Sequence, residues 1–450
     1  MGNGRAYALL VIRQPMDALI IANDPRFLEE ICGLTIIDRL LRSLHCSGIK
    51  QAIIITSTPG PYHRVVKRRA WPRKQLKISI VELSHPEQMK TWVSILEQHC
   101  TDVSNTNGSD PVLIVPHPGI YDTRLIRNLA QGTSPTALVD SQPPDYLNVL
   151  PDPQYLSAQG ILCGPVCVDR AWLTLQTGSF LSFIQSGLFN EQVKALDVSE
   201  QTTYLDSQRR ELRPYWFPAL DPKLRQVATE TILDASKKES MDFPALLHAP
   251  IEIFLIQHLC KLPISPNQIT IFCNIVAYTA TFLFSQGLLA WGIMVALAVG
   301  IIDGLDGKQA RVKLEVTPVG EYEHTFDYLY ELSWWFSLAY YLASSGELRH
   351  AYLFFFLMFG SDLLSKLCRF IVLTVTGLTI DVISPIDRWL RLITGRRNIY
   401  IWIFATGLLI STGAQAYMAL CLWAAASATI HILRTTMIVL DYRQVTTEKS

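Results

Sequence analysis

Apolar positions dominate residues 263–440 and fall into six runs, at roughly 268–288, 288–306, 322–345, 350–375, 398–413 and 415–440. A helix needs about 20 predominantly apolar residues to cross a bilayer. The second and fifth runs are short, so both are expected to continue as polar helix ends. Basic residues between the runs are one-sided. Lys308, Arg311, Lys313, Arg388, Arg391, Arg396, Arg397, Arg443 and Lys449 fall on one side, and Arg349 falls in the opposite short loops. The positive-inside rule then predicts a cytoplasmic basic side, with both termini on it. Before the first run, residues 241–261 carry a pattern expected to lie flat at the interface as an amphipathic helix.

Residues 1–262 show a different rhythm. Ala8–Ile12, Ala18–Ala22 and Gln51–Thr56 read as buried strands, and further strands are expected at 77–82, 111–115 and 136–140. Gly33–Gly48 reads as an amphipathic helix. Strands alternating with helices predict a doubly wound α/β sheet. The expected organisation is an α/β domain over 1–220, a linker with a juxtamembrane helix over 221–262, an all-α six-helix transmembrane bundle over 263–443, and a cytoplasmic tail over 444–450.

Composition adds little to this division. The 450 residues are 49% hydrophobic with a formal net charge of +0, which argues against a nucleic-acid partner. The start of the chain lacks the basic segment and apolar core of a cleavable signal peptide. The nine cysteines are scattered. Cys163 and Cys167 form the one close pair, without a second pair to make a zinc site, so reduced thiols in a cytosol-facing protein are expected. The basic run His63–Lys74 reads as a solvated face, and Asn107-Gly-Ser as a turn rather than a glycosylation site.

Candidate chemistry is concentrated at the end of the second apolar run, in Asp303-Gly-Leu-Asp306-Gly307-Lys-Gln-Ala310-Arg311, followed by Gly320. Residues three apart share a helix face, so the two carboxylates lie side by side. Carboxylates at membrane depth are costly and repel unless a cation lies between them. Gly307 and Ala310 allow a ligand close to the backbone, and Arg311 is a planar, permanently charged phosphate partner.

This stretch resembles the signature of the CDP-alcohol phosphotransferase family, matching without a gap from Asp303 to Gly320. Ser265-Pro-Asn267-Gln-Ile-Thr270 resembles the start of that family's first transmembrane helix. The resemblance implies a metal-dependent membrane transferase. It would move a phosphoalcohol or phosphatidyl group from a CDP-alcohol to a hydroxyl acceptor, releasing CMP. Two Mg2+ or Mn2+ ions about 4 Å apart suit that displacement. It also implies metal ligation by Asp303 and Asp306, a CDP site formed by Asn267, Gly307, Ala310, Arg311 and Gly320, and a homodimer in the lipid bilayer.

The third helix departs from the pattern. His324 and Tyr328 stand where two aspartates are expected, and Glu323, Asp327 and Glu331 lie nearby out of register. Two completions stay open. Either Glu323 and Asp327 replace the missing aspartates, or His324 is a ligand with Asp327 or Glu331 as second acid. Asp327, Glu331 and His324 are thus the candidate catalytic residues. Downstream, Lys366, Arg369, Arg391, Arg396 and Arg397 form a candidate cationic pocket for a phosphorylated acceptor such as a polyol phosphate.

The stretch 33–56 and the run Val112–His117 resemble sugar-phosphate nucleotidyltransferases. The phosphate-gripping glycine loop is missing, and His117 sits where a metal-binding aspartate is expected, so this domain is expected to be non-catalytic. The order of the two halves resembles the bifunctional inositol-phosphate cytidylyltransferase/di-inositol-phosphate-phosphate synthases. The rival readings are a degenerate CDP-alcohol-binding or scaffold protein of the same fold, and a transporter. No internal repeat between the two triplets of runs supports the latter.

Overall fold

The computed structural model describes residues 16–68, 76–86, 88–99, 111–147, 155–174, 179–218, 222–239, 242–315 and 323–447. The chain divides into two compact units. One comprises residues up to Lys238 with Val312–Glu315, and the other Glu239–Arg311 with Val316–Ser450.

The first unit is built on an eight-stranded sheet. Its central strand, Asp17–Ile21, pairs in parallel with Gln51–Thr56 on one side and Pro111–Val115 on the other. Lys77–Glu82 extends the first side in parallel. Beyond Pro111–Val115 the sheet turns mixed. Gly160–Asp169 runs antiparallel, then Thr136–Asp140, with Lys194–Asp197 parallel to the latter at the edge. The expected α/β layering is present, but the sheet is not wholly parallel. The expected strand Ala8–Ile12 and the Asn107 turn lie outside the described residues.

Isoleucine- and valine-rich runs make these strands because both faces are buried. Leu19, Ile21, Ile53 and Ile55 pack on one face with Trp92, Ile95 and Leu96. The alternate residues Ala18, Ile20, Ala52 and Ile54 are equally buried on the other. The helices of this unit are α1 (Ile36–Cys46), α2 (Pro59–Arg68), α3 (Met89–His99), α4 (Thr123–Gln131), α5 (Arg170–Thr174), α6 (Phe180–Phe189) and α7 (Pro222–Ala235). Thr35 caps α1 by accepting from the Asp38 amide at 3.2 Å. Cys163 and Cys167 are both buried and unbridged in Gly160–Asp169, where they serve as small core residues.

His117 follows the strand Pro111–Val115, with its ring 5.0 Å from that of Tyr155. Its Nε2 is buried without a hydrogen-bond partner. Gly164 closes over it at φ +119°, where an added Cβ would lie 2.4 Å from His117 Cε1. Burial pushes the imidazole down to about 4. The folded chain therefore stays neutral there while the unfolded chain takes a proton below about 6.5. Stability is present above pH 6.5 and is lost as pH falls toward 4. Allowing for partial exposure, the loss is roughly 2–3 kcal/mol. Thermal midpoints of wild type and His117→Gln at pH 6.5 and pH 4.5 check this. The variant is expected to lose less on acidification, and parallel losses would refute it.

The second unit is helical: α8 (Phe243–Leu259), α9 (Pro266–Ser285), α10 (Leu289–Lys313), α11 (Glu323–Ser344), α12 (Ala351–Thr376), α13 (Pro385–Ile393), α14 (Arg397–Ile410) and α15 (Gly413–Thr447). Within 221–262, expected as linker and interfacial helix, the described residues carry two helices, α7 and α8, one in each unit. In α9 the small Cys273, Ala277 and Ala280 face the core, while Ile271, Phe272, Ile275 and Phe282 face outward. Small inward residues let helices approach closely in lipid. Trp334 of α11 uses that space, donating its indole N–H to the Ala277 carbonyl at 2.7 Å.

Among the described residues, Pro266–Ser285, Leu289–Lys313 and Gly413–Gln444 are long and apolar enough to cross a membrane. The sequence reading expected six such helices. By length and composition α11, α12 and α14 do not join the three. α11 carries Asp327 and Glu331, α12 carries Asp362, Lys366 and Arg369 in mid-helix, and α14 has 14 residues.

Candidate active site

The motif Asp303–Arg311 lies wholly within α10. Its glycine face packs on α8. An added Cβ at Gly304 would come within 2.6 Å of the Glu252 carboxyl, so a larger residue there would push that carboxyl aside. Lys308 pairs with the same Glu252. Gln309, fully buried, donates to the Ile264 carbonyl at 2.9 Å and ties the α8–α9 turn to α10. Arg311 reaches back beside Gly307, where an added Cβ would lie 3.2 Å from its Nη1.

Asp306 is 3% exposed. One carboxylate oxygen accepts from Thr270 Oγ1 at 2.7 Å and the other from the Gly307 amide at 2.5 Å. α9 presents Thr270 because Ser265 and Gln268 form a reciprocal capping box at its start. Asn267, Thr270 and Asn274 follow at helical spacing, and Asn274 donates to the Thr270 carbonyl at 2.9 Å. Asp303 takes a different partner, accepting from Arg397 Nη2 at 2.6 Å. Arg397 also bonds the Tyr330 hydroxyl.

The acids of α11 diverge. Asp327 lies within electrostatic reach of Cys273, as do Asp303, Asp306 and Arg397. Glu331 instead accepts from the Trp335 indole at 3.5 Å and lines a small cavity with Tyr328, Asp362 and Tyr400. The side chains of Glu323 and His324, and all of Gly320, lie outside the described residues. Among the described residues no three acids, histidines or cysteines are close enough to hold a metal ion. The three described acids of the expected cluster, Asp303, Asp306 and Asp327, are therefore not gathered around one ion position. Asp303 and Asp306 have taken protein partners instead, because facing carboxylates repel and each is stabilised by a donor. The donor set still suits a hard cation, since Asp303, Asp306 and Asp327 all offer carboxylate oxygens.

A cationic group stands apart from these acids. Arg391, 5% exposed, pairs with Glu239 at 3.1 Å, and Arg396 reaches Asp381 at 3.4 Å. Nε of Arg369, Arg391 and Arg396 is buried without a hydrogen-bond partner, and so is Nδ1 of His431 on α15. Burial, and then repulsion from Arg369, lowers Arg396 to about 10. Orphaned buried donors are rare. Several of one sign in one place are what an anion site requires. Lys366 points elsewhere. It pairs with Asp362 at 2.8 Å and lies 3.2 Å from the centre of the Tyr328 ring.

Residues 263–440 match the family model of the CDP-alcohol phosphatidyltransferases. The C-terminal half of the chain is a CDP-alcohol phosphatidyltransferase domain. The protein is accordingly a membrane-associated phosphotransferase that moves a phosphoalcohol group from a CDP-alcohol, in a family that generally uses divalent metals. Two solved structures are similar to parts of the chain. The inositol-1-phosphate CTP transferase from T. maritima is 11% identical, with a TM-score of 0.33, covering 48% of this chain and 96% of that one. The Mycobacterium tuberculosis phosphatidylinositol phosphate synthase with CDP-DAG bound is 18% identical, with a TM-score of 0.34, covering 43% and 94%. No curated protein matches the chain.

Within the phosphatidyltransferase domain, three polar residues escaped the sequence reading. Thr270 was seen as part of a helix start, yet it is the hydroxyl partner of Asp306. His431 was a single polar residue in an apolar run, with nothing in its spacing to mark it. Asn398 holds Asp242 through its amide at 3.3 Å, fixing the start of α8 against the start of α14.

Proposed function

We propose that the domain transfers the phosphoalcohol or phosphatidyl group of a CDP-alcohol to a hydroxyl of a phosphorylated polyol, such as an inositol phosphate, and releases CMP. The observation that carries this reading is the pair Asp303 and Asp306 on one helix, with Asp306 buried and Asp327 of α11 within electrostatic reach of the same Cys273. Two Mg2+ or Mn2+ ions held by these carboxylates, with Glu323, would neutralise the transferred and leaving phosphates. Asp327 takes the proton of the attacking hydroxyl. The new bond joins that oxygen to the donor's β-phosphorus, and the bond to the CMP oxygen breaks. Glu331 is the weaker candidate for the base, since it faces the Tyr328–Asp362 cavity. Asn267, Gly307, Ala310, Arg311 and Gly320 would bind CDP. Arg369, Arg391 and Arg396 would hold the acceptor phosphate, helped by Lys366 or Arg397 if either leaves its present partner.

Six spans and a cytoplasmic active site, supported by the basic bias of one set of loops, complete the proposal, with a homodimer implied by the family resemblance. The N-terminal unit is taken as non-catalytic, supported by His117 at the position of an expected metal ligand. The test is CMP release by the purified protein with Mg2+ or Mn2+, across a panel of CDP-alcohols with polyol-phosphate acceptors. Release that requires both substrates supports the reading. Metal-dependent CDP-alcohol binding without release from any pair supports the alternative, a scaffold that has lost the chemistry.

A further inference from the structure

α13 buries Asp387 and Arg391 and turns three large apolar residues outward, with Arg388 exposed beside them. Asp387 is 4% exposed and Arg391 5%, whereas Ile386 is 61%, Trp389 74% and Ile393 48% exposed. The three apolar residues follow at i, i+3 and i+7 and so share one face. A helix on an aqueous surface shows the opposite distribution.

The rotation of α13 is held from within. Ser384 caps its start, accepting from the Asp387 amide at 3.3 Å, and Pro385 occupies the first turn. Arg434 of α15 grips both oxygens of Asp387, at 2.7 and 2.9 Å. Burial opposes the charge on Asp387, but the bonds from Arg434 and Ser384 outweigh it and hold the carboxyl below its usual range. One turn on, Arg391 is held by Glu239. The inner face is thus a pair of ion pairs, and the outer face is Trp and Ile.

We propose that α13 lies in the plane of the membrane surface, with Ile386, Trp389 and Ile393 embedded in one lipid monolayer. Two observations choose lipid as the occupant. α13 joins the ends of α12 and α14 in a membrane domain, and Thr394, Gly395 and Arg396 alone separate it from α14. In addition α8, which runs into the membrane-spanning α9, exposes Phe243, Leu247, Ile251 and Phe254 in the same manner. α8 and α13 lie at the same end of the unit, since Glu239 bonds Arg391 and Asp242 bonds Asn398. Tryptophan is enriched at this depth because its ring is apolar and its N–H polar. The outward face of α13 therefore continues an apolar surface already in the membrane. Its inner face carries Arg391 of the cationic group, so the bilayer would hold one wall of that group in place.

The test is photo-crosslinking of the full chain in lipid nanodiscs, with benzoylphenylalanine placed singly at 386, 388, 389 or 409. Leu409 is outward-facing on α14 and reports that the domain is inserted. Phospholipid adducts at 386, 389 and 409, and none at 388, are the expected result. An adduct between two protein chains at 389 would assign the face to a second copy and overturn the proposal. So would no adduct at 389 in a preparation that is labelled at 409.

Discussion

Asp306→Asn is expected to lower CMP release by about a thousandfold, corresponding to the several kcal/mol of charge stabilisation that a bound metal supplies in such displacements. The substitution keeps the size of the side chain and changes its charge. Asp306 is almost fully buried, and both its oxygens accept, from the Thr270 hydroxyl and the Gly307 amide. An asparagine has one acceptor oxygen and cannot serve both donors while also facing a cation. The loss has two parts that can be separated. Mn2+ titration of the folded variant reads the weakened ion site directly, and CMP release reads the chemistry. Thr270→Val removes one donor but keeps the carboxylate. It should cost roughly ten- to a hundredfold, the value of one hydrogen bond to a charged group. If Asp306→Asn kept a substantial part of wild-type activity with normal folding, the assignment of this carboxylate to the reaction would be wrong.

How far the chain is legible differs between its halves for physical reasons. Residues 303–311 were legible because every part of the signal is local. Two acids, small residues and an arginine share one helix, and the helix continues unbroken from Leu289 to Lys313. The central strands at 17–21, 51–56 and 111–115 were legible because burial on both faces demands continuous β-branched runs. Gly160–Asp169 was not, because Gly164 and Pro165 interrupt its pattern and its cysteines drew a metal-site question instead. Partnerships across the fold were out of reach. Arg397 lies far along the chain from Asp303, and only packing of α14 against α10 makes it a counter-ion rather than an obvious member of the arginine group. The acids of α11 show the same limit. Asp327 and Glu331 are one turn apart, but each helical step of four overshoots a full turn by about 40°. Packing then leaves Asp327 within electrostatic reach of Cys273 and sets Glu331 beside Asp362.

Arg396→Gln should raise the KM for a polyol-phosphate acceptor roughly 10- to 100-fold and leave the KM for the CDP-alcohol unchanged, the value expected for one charge-assisted hydrogen bond to phosphate. Arg396 is chosen over Arg391 and Arg397 because its pairing, to Asp381, is longer than theirs. The terminal nitrogens of Arg391 are engaged with Glu239, and Arg397 is engaged with Asp303 and Tyr330. Arg396 has one pairing, to Asp381 at 3.4 Å, and a buried Nε with no partner. Its charge is already resisted by burial and by Arg369, which lowers it to about 10. A dianionic phosphate would relieve both strains, so binding is coupled to the cost of keeping this guanidinium charged and buried. Gln retains a donor but not the charge, and Arg396→Lys should fall between the two because an ammonium lacks the planar fork. A purely structural role predicts a different pattern, with the thermal midpoint and the KM of both substrates moving together. Selective loss of acceptor affinity in a variant of unchanged thermal midpoint separates the two. It would identify the group around Arg369, Arg391, Arg396 and His431 as the place where the acceptor's phosphate is read.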